Sequence, residues 1–274
     1  MLVFPNGKIN LGLQVTEKRK DGFHNLETIF YPIPFYDGLE LIHHPDFDDE
    51  LNFSQSGIFL DIPTNENICY KAFQLIKKDY PFLKGVKLHL HKVIPSGAGL
   101  GGGSSDAAFL LMLLNTRFNL GLQSSQLKRY ALELGSDCPF FLLNQPAIAK
   151  GRGEILEPVP IDLKDYYLFL INPRIHIPTS WAFSKIIPEQ NRPSLKEIPH
   201  QAVNLWKDQL MNDFEAPVFE EYPQIKSIKE QLYKSGAIYA SLSGSGSTVF
   251  GLFKDLPELL PFFPDNYFVK SLRL

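Results

Sequence analysis

The segment Pro95-Ser96-Gly97-Ala98-Gly99-Leu100-Gly101-Gly102-Gly103-Ser104-Ser105 has the composition of a loop that wraps a polyphosphate. Five glycines fall between positions 97 and 103, and the chain then runs straight into an apolar stretch with helical spacing. Glycine admits positive φ and leaves no Cβ between the backbone and a ligand. Ser104 and Ser105 are helix-capping residue types, and Ala107, Ala108, Leu110, Leu111 and Leu114 predict a helix over about 104–118. The open N–H groups and positive dipole end of such a helix start favour an anion. A flexible linker would be polar on both flanks. This loop instead follows a strand-like run at 86–94 and precedes the apolar helix, so it is anchored inside a domain.

Known phosphate loops narrow the choice. Gly97-Ala98-Gly99-Leu100-Gly101-Gly102 formally fits Gly-x-Gly-x-x-Gly, but a dinucleotide fold also needs an acidic residue about 20 positions further on to hold a ribose. Asn115, Arg117 and Asn119 follow the helix here, and no strand ending in Asp or Glu occurs at that distance. The strand before the loop alternates apolar and polar residues, unlike a buried parallel strand. No Gly-Lys-Ser/Thr follows the glycines, and the His-Arg-Asp and Asp-Phe-Gly signatures of protein kinases are missing. What remains is a loop closing in Gly-Ser-Ser-x-Ala-Ala, with serine hydroxyls as the local donors.

That pattern resembles the central motif of the GHMP small-molecule kinase superfamily. Pro5-Asn6-Gly7-Lys8-Ile9-Asn10-Leu11 resembles its opening strand, and Leu242-Ser243-Gly244-Ser245-Gly246-Ser247 its glycine-rich C-terminal loop. Three motifs in the right order reach from residue 5 to residue 247, so the resemblance covers nearly the whole chain. Further segments resemble the branch that phosphorylates a cytidine diphosphate-linked polyol. They are Lys20-Asp21-Gly22-Phe23-His24-Asn25-Leu26, Leu134-Gly135-Ser136-Asp137-Cys138-Pro139-Phe140-Phe141 and Gly151-Arg152-Gly153-Glu154. Ile177-Pro178-Thr179 with Phe183, and Asn212-Asp213-Phe214-Glu215, complete the set. Two positions depart from the pattern: Gly7 replaces the usual Ala, and Phe23 replaces the usual Tyr, which removes a hydroxyl and keeps a ring.

The resemblance implies an α+β, two-domain GHMP kinase fold. An N-terminal domain like ribosomal protein S5 domain 2, over 1–156, would bind ATP. A ferredoxin-like C-terminal domain, over 157–274, would form the substrate side, with the active site in the cleft between them. Phosphoryl transfer to an alcohol needs a held polyphosphate, neutralisation of its charge and an oriented hydroxyl. Pro95 to Ser105 would hold the ATP phosphates, with Gly244, Ser245 and Gly246 abutting them. Asp137, just past a helix that ends at Gly135, would remove or orient the hydroxyl proton. Lys8 would keep that carboxylate ionised and steady the attacking oxygen. Phe23, His24 and Phe183 would form a nucleobase site, with Phe23 and Phe183 on opposite faces of the cytosine; Asn10 and Thr179 complete the substrate contacts. No dedicated metal cage is visible, so Mg²⁺ would arrive mainly with ATP, with Ser104 or Ser105 contributing one ligand at most.

Composition bounds the remaining possibilities. At 274 residues and 44% apolar content the chain can bury a full core. There is no run of about 18 apolar residues and no signal-peptide start, which leads us to expect a cytoplasmic protein without a membrane anchor. Cys69 and Cys138 suggest neither a disulfide framework nor a zinc site. The net charge of −3, with dispersed Lys and Arg, argues against a nucleic-acid partner. His89 and His91 share a strand face, which is either a metal pair or a solvent side. Oligomeric state is not readable.

Strands are expected at 2–15, 27–33, 38–43, 86–94, 138–143, 147–150, 166–171, 238–242, 248–253 and 267–272. Helices are expected at 65–80, 104–118, 125–134, 180–187, 203–210 and 222–235, and the phenylalanines between 261 and 268 as C-terminal core. Strands with segregated helices read as α+β. Competing functions are a GHMP kinase for mevalonate or homoserine, which would have no use for a stacking site, a silent nucleotide-binding regulator, and an RNA-binding module.

Overall fold

Ile9, Leu11, Leu13 and Val15 alternate along the first long strand and are buried in the computed structural model, which describes residues 1–44, 51–257 and 263–274. The elements begin β1 (Leu2–Val3), β2 (Asn6–Lys18), β3 (His24–Tyr36), β4 (Gly38–His43), β5 (Leu51–Gly57), α1 (Ile68–Asp79), β6 (Val86–Lys92) and α2 (Gly102–Arg117). There follow α3 (Ser124–Leu134), α4 (Cys138–Leu143), β7 (Ala147–Gly151), β8 (Ile155–Pro158), β9 (Tyr167–Asn172) and α5 (Thr179–Ser184). The chain closes with α6 (Glu215–Glu221), α7 (Pro223–Lys234), β10 (Tyr239–Leu242), β11 (Val249–Phe253) and β12 (Phe268–Arg273).

Two compact units result, and they do not follow the chain linearly. One comprises Met1–Gly7, Phe35–Ser96 and Gly101–Asn144; the other comprises Lys8–Pro34, Gly97–Leu100 and Gln145–Leu274. This division differs from the expected 1–156 and 157–274. Strand pairing explains it: β2 and β3 join β7 and β8 in one sheet, far along the sequence.

The first unit carries the sheet β1-β4-β6-β5. β5 runs parallel to β6, and α1 supplies the crossover that a parallel pair requires. Leu39, Leu41, Leu88 and Leu90 of the sheet share a core with Phe73 and Ile76 of α1 and with Leu110, Leu111 and Leu114 of α2. Helix α2 is buried on most sides, as its nearly continuous apolar sequence demands. It starts at Gly102, earlier than expected, and its N-cap is Gly101 at φ +70° with no side-chain cap. Ser104 and Ser105 therefore do not cap it. Ser105 is fully buried, and the Ser104 hydroxyl bonds the Cys138 thiol.

A second correction falls at 138–143, which is helix α4 and not a strand. An apolar run this short fits either period. Pro139 decides it, since proline fits the first helical turn, and Asn144 ends the helix at φ +50°.

The second unit holds the sheets β2-β3-β7-β8 and β10-β11-β9-β12. Phe169, Ile171, Leu242, Val249 and Phe253 pack with Val218 of α6 and with Ile225, Ile228 and Leu232 of α7; Leu13 and Val15 of β2 join this core. Residues 203–208 form a 3-10 segment where an α-helix was expected, and β5 and β8 were not anticipated. Pro261 and Phe262 lie outside the described residues, while Phe263 is buried and stacks near Tyr267. His89 and His91 on β6 bond Ser54 and Ser56 of the neighbouring β5 at 2.8–2.9 Å. Among the described residues no helix is long and apolar enough to cross a membrane.

Candidate active site

Strand β2 presents Lys8 and Asn10 on the same side, two residues apart, and both are buried. Lys8 Nζ donates to Asn10 Oδ1 at 2.5 Å and lies 4.7 Å from the centre of the Phe30 ring. Asn10 Nδ2 donates to Thr28 Oγ1 (2.9 Å), and the Thr28 hydroxyl donates on to the Gly12 carbonyl (2.5 Å). This chain holds the ammonium in one orientation. A buried ammonium needs such partners, because an unpaired one would lose its proton.

The central glycine loop is gripped from below by the C-terminal one. Ser243 Oγ accepts from Asn10 N (3.3 Å) and donates to the Gly99 carbonyl (2.8 Å). Lys8 N donates to Leu100 O (2.9 Å), and Thr248 N to Ala98 O (3.3 Å). A Cβ on Gly99, at φ +82°, would sit 1.9 Å from the Ser243 carbonyl oxygen; one on Gly246 would sit 2.3 Å from Gly99 N. The two backbones touch, so these glycines are set by contact with protein and not only with a ligand. Gly97 and Gly101 also take positive φ, near +66° and +70°.

Asn212 anchors the C-terminal loop. Its Nδ2 donates to both Leu242 O and Gly244 O at 2.9 Å, and its Oδ1 accepts from Phe214 N. Asn172 Nδ2 bonds Ser247 and Thr248 from the other side. Asn212→Ala strands the Gly244 carbonyl and the Phe214 N–H and leaves the Leu242 carbonyl the 3.4 Å bond from Ser241 Oγ. Each stranded group costs about 1–3 kcal/mol, so a thermal melt should show a clear loss, with a raised KM for ATP in the folded fraction. An unchanged melt would show that the loop holds its shape without this anchor.

Asp137 sits in the first unit, at the N-cap of α4 with helical φ and ψ, and its carboxylate does not cap that helix. Lys8 belongs to the second unit.

The expected nucleobase residues are arranged differently from expectation. His24, not Phe23, lies against Phe183, with ring centres 4.8 Å apart and planes 17° from parallel. Phe23 is half exposed and carries the Arg152 guanidinium 4.3 Å from its ring centre. The reason is the pleat: neighbouring residues of an extended chain point to opposite faces, so Phe23 and His24 diverge. Arg19 holds the turn before them, bonding Asp21 and Asn25. Burial and the nearby Lys18 charge push the His24 pKa below the ordinary imidazole value. Phe183 is in turn backed edge-on by Phe214 at 4.9 Å. Thr179 opens α5, and Ser245 Oγ lies 3.5 Å from its hydroxyl.

Sequence reasoning assigned no role to Thr28, Ser243 and Asn212. Ser243 and Asn212 lay inside motifs already singled out; Thr28 carried no signal at all.

Comparison with known proteins finds the GHMP kinases N terminal domain over residues 67–145 and the GHMP kinases C terminal domain over residues 194–260. A 4-diphosphocytidyl-2-C-methyl-D-erythritol kinase of Bacteroides thetaiotaomicron is 49% identical, covering 94% of this chain and 95% of its own. One from Cytophaga hutchinsonii is 48% identical over 94% of each. A crystal structure of 4-(cytidine 5'-diphospho)-2C-methyl-D-erythritol kinase is similar with a TM-score of 0.78 and 33% identity, covering 92% of this chain and 90% of that one. The Methanococcus jannaschii mevalonate kinase shares the fold at a TM-score of 0.67 and 15% identity, over 92% and 90% of the two chains.

Proposed function

This chain belongs to the GHMP kinase family, and from that premise we propose that Lys8 and Asp137 are the phosphoryl-transfer pair of an enzyme acting on a cytidine diphosphate-linked polyol. The chain acts as an ATP-dependent kinase of the kind its relatives are named for, 4-diphosphocytidyl-2-C-methyl-D-erythritol kinase, and in this reading the acceptor is the polyol's 2-hydroxyl, a step of the non-mevalonate isoprenoid precursor pathway. The observation that carries the residue assignment is the orientation of Lys8 by Asn10 and Thr28 beside the backbone of Gly99 and Leu100.

In this reading the amides of the 97–103 segment and the start of α2 bind the β- and γ-phosphates, with Gly244, Ser245 and Gly246 beside them. Asp137 accepts the proton of the acceptor hydroxyl or aims that hydroxyl at the γ-phosphorus. Lys8 lowers the energy of the oxyanion that forms as the proton departs. Mg²⁺ supplies charge neutralisation on the transferred group when it arrives with ATP. Among this chain's groups, Ser105 Oγ suits it as a further oxygen, being buried with no hydrogen-bond partner. Among the described residues no cluster of three metal-ligating side chains competes for that role.

Cytosine would be read by Phe23, His24, Thr179 and Phe183. With its pKa lowered, His24 is neutral at pH 7 and can accept or donate one hydrogen bond at the base edge. Phe183→Ala removes its stacking partner and should raise the KM for substrate about 10-fold or more, with kcat within about threefold; base–aromatic stacking is worth about 1–3 kcal/mol. The wild-type substrate KM should rise as pH falls below the ordinary imidazole value of about 6.5. A coupled ADP-release assay tests the assignment as a whole: turnover with the cytidine diphosphate-linked polyol, inhibited by cytidine diphosphate and absent with mevalonate or homoserine. Failure of cytidine diphosphate to compete would remove the nucleobase site. A cytoplasmic location and no nucleic-acid partner are the expectations that go with this reading.

A further inference from the structure

The four residues assigned to the cytosine carry no fixed positive charge, yet the ligand they imply is an anion. Phe23, His24, Thr179 and Phe183 offer two benzene rings, a hydroxyl and an imidazole. A diphosphate joined to the ribose next to that base stays charged throughout the neutral range, and its oxygens are best met by charged donors. Arg152 supplies such a donor at the same end of β3.

Strand pairing brings it there. β3 and β7 run antiparallel with Leu26 opposite Gly151, so the turn after β7 comes beside the residues that lead into β3. β7 and β8 pair as far as Lys150 and Ile155, which leaves 151–154 as a tight turn. Gly151 and Gly153 take positive φ, +70° and +113°, and Gly153 N donates to Lys150 O at 3.1 Å. Arg152 N donates to Glu154 Oε2 at 2.6 Å. A Cβ on Gly151 would sit 2.9 Å from that same oxygen, so the glycine is what lets the carboxylate fold back. From this pinned turn the Arg152 side chain reaches Phe23, with Cζ 4.3 Å from the ring centre.

A guanidinium suits that post. Attraction to an aromatic face draws on the cation's charge and consumes no N–H. The planar fork of N–H groups matches two phosphate oxygens at once, as a lysine ammonium does not. Arg19, the other guanidinium of this patch, is committed to structure: Nε and Nη2 bond the Asp21 carboxylate at 2.8–3.1 Å, and Nη1 bonds Asn25. Asp21 Oδ1 also accepts from Phe23 N at 3.1 Å, which fixes the backbone that carries the ring. One arginine shapes the platform and the other lies on it.

We propose that Arg152 is a specificity-determining residue for the substrate: steadied over Phe23, its guanidinium pairs with the diphosphate of the cytidine diphosphate-linked polyol and so selects a nucleoside diphosphate over a nucleoside. This rests on the reading that Phe23, His24, Thr179 and Phe183 hold the base. ATP brings the other phosphates of the reaction. Arg152 belongs to the acceptor because its platform, Phe23, adjoins His24, whose ring lies against Phe183.

The test is calorimetric titration of the full chain with cytidine and with cytidine diphosphate, for wild type, Arg152→Ala and Arg152→Lys. Loss of a charged hydrogen-bonding partner should weaken cytidine diphosphate about 10- to 100-fold in Arg152→Ala and leave cytidine within about twofold. Arg152→Lys keeps the charge and the backbone bond to Glu154, so it decides the matter if the alanine variant does not fold. It should lose about 3- to 10-fold for the diphosphate alone, having no planar fork. In turnover the substrate KM should rise in step with the diphosphate Kd, while the KM for ATP stays within about threefold. Equal losses for cytidine and its diphosphate would mean that Arg152 only shapes the turn, and that overturns the proposal. An unchanged diphosphate affinity in either variant overturns it as well, and a rise confined to the KM for ATP moves the guanidinium to the other substrate. Cytidine that does not bind the wild type removes the base reading, and the proposal with it. Cytidine binding that Phe183→Ala weakens, with the diphosphate preference intact in the Arg152 variants, keeps the base site and strikes out Arg152 alone.

Discussion

Asp137→Asn should lower kcat by about 100- to 10,000-fold while the KM for ATP stays within about threefold, the usual range for loss of a positioned general base. That is about 3–5 kcal/mol of transition-state stabilisation. Asparagine keeps the shape and some orienting ability and loses the proton acceptor, so the size of the loss separates removal of the proton from mere aiming of the hydroxyl. The carboxylate does not cap α4, so the substitution removes no cap from that helix. Lys8→Met supplies the second corner of a double-mutant cycle. It strips Asn10 Oδ1 of its donor, for which about 1–3 kcal/mol of stability should be lost. If the two residues act as a unit, the double variant is little slower than the worse single one. Full additivity would mean that Lys8 serves the loop and not the carboxylate, and wild-type turnover in Asp137→Asn would remove Asp137 from the chemistry.

Gly99→Ala should abolish ATP use by breaking the loop itself. Placing an L side chain at φ +82° costs about 1–2 kcal/mol. Steric overlap costs more: the new Cβ would lie 1.9 Å from the Ser243 carbonyl oxygen, which is backbone and cannot rotate away. The Ser243 bonds to Gly99 and Asn10 go with it, and so does the orientation of Lys8. Gly121→Ala is the control, with φ +70° and nothing within 4 Å of the added carbon. It carries the conformational cost alone, and each kcal/mol moves the melting temperature of a chain this size by about 2–4 °C. The expected result is a drop of several degrees for Gly121→Ala with normal ATP binding, and a much larger drop for Gly99→Ala with none. Similar melts for the two would show that the loops part without penalty.

Local chemistry was legible wherever a short segment carried its own constraint. The density of glycine before an apolar run announced a loop pressed against something. The alternation of Ile9, Leu11, Leu13 and Val15 announced β2, and Gly135 announced the end of α3. Misreadings occurred where two local rules agreed with the same letters. Six apolar residues at 138–143 suit a strand or a helix, and only Pro139 within the first turn separates them. Ser104 and Ser105 are good caps, but Gly101 reaches φ +70° first and starts the helix beneath them.

By itself the sequence determined the α+β class, the order of the motifs and the residue types available for phosphoryl transfer, because each depends on neighbours within a few positions. Only the tertiary structure decided that Ser243 bridges Gly99 to Asn10, that His24 rather than Phe23 faces Phe183, and that Asp37 and Asp106 close on Lys92. Those contacts join residues separated by 14 to 233 positions. Which of them form is set by how strands pair and which side chains a shared core leaves room for. Neither quantity is encoded in any stretch short enough to read alone.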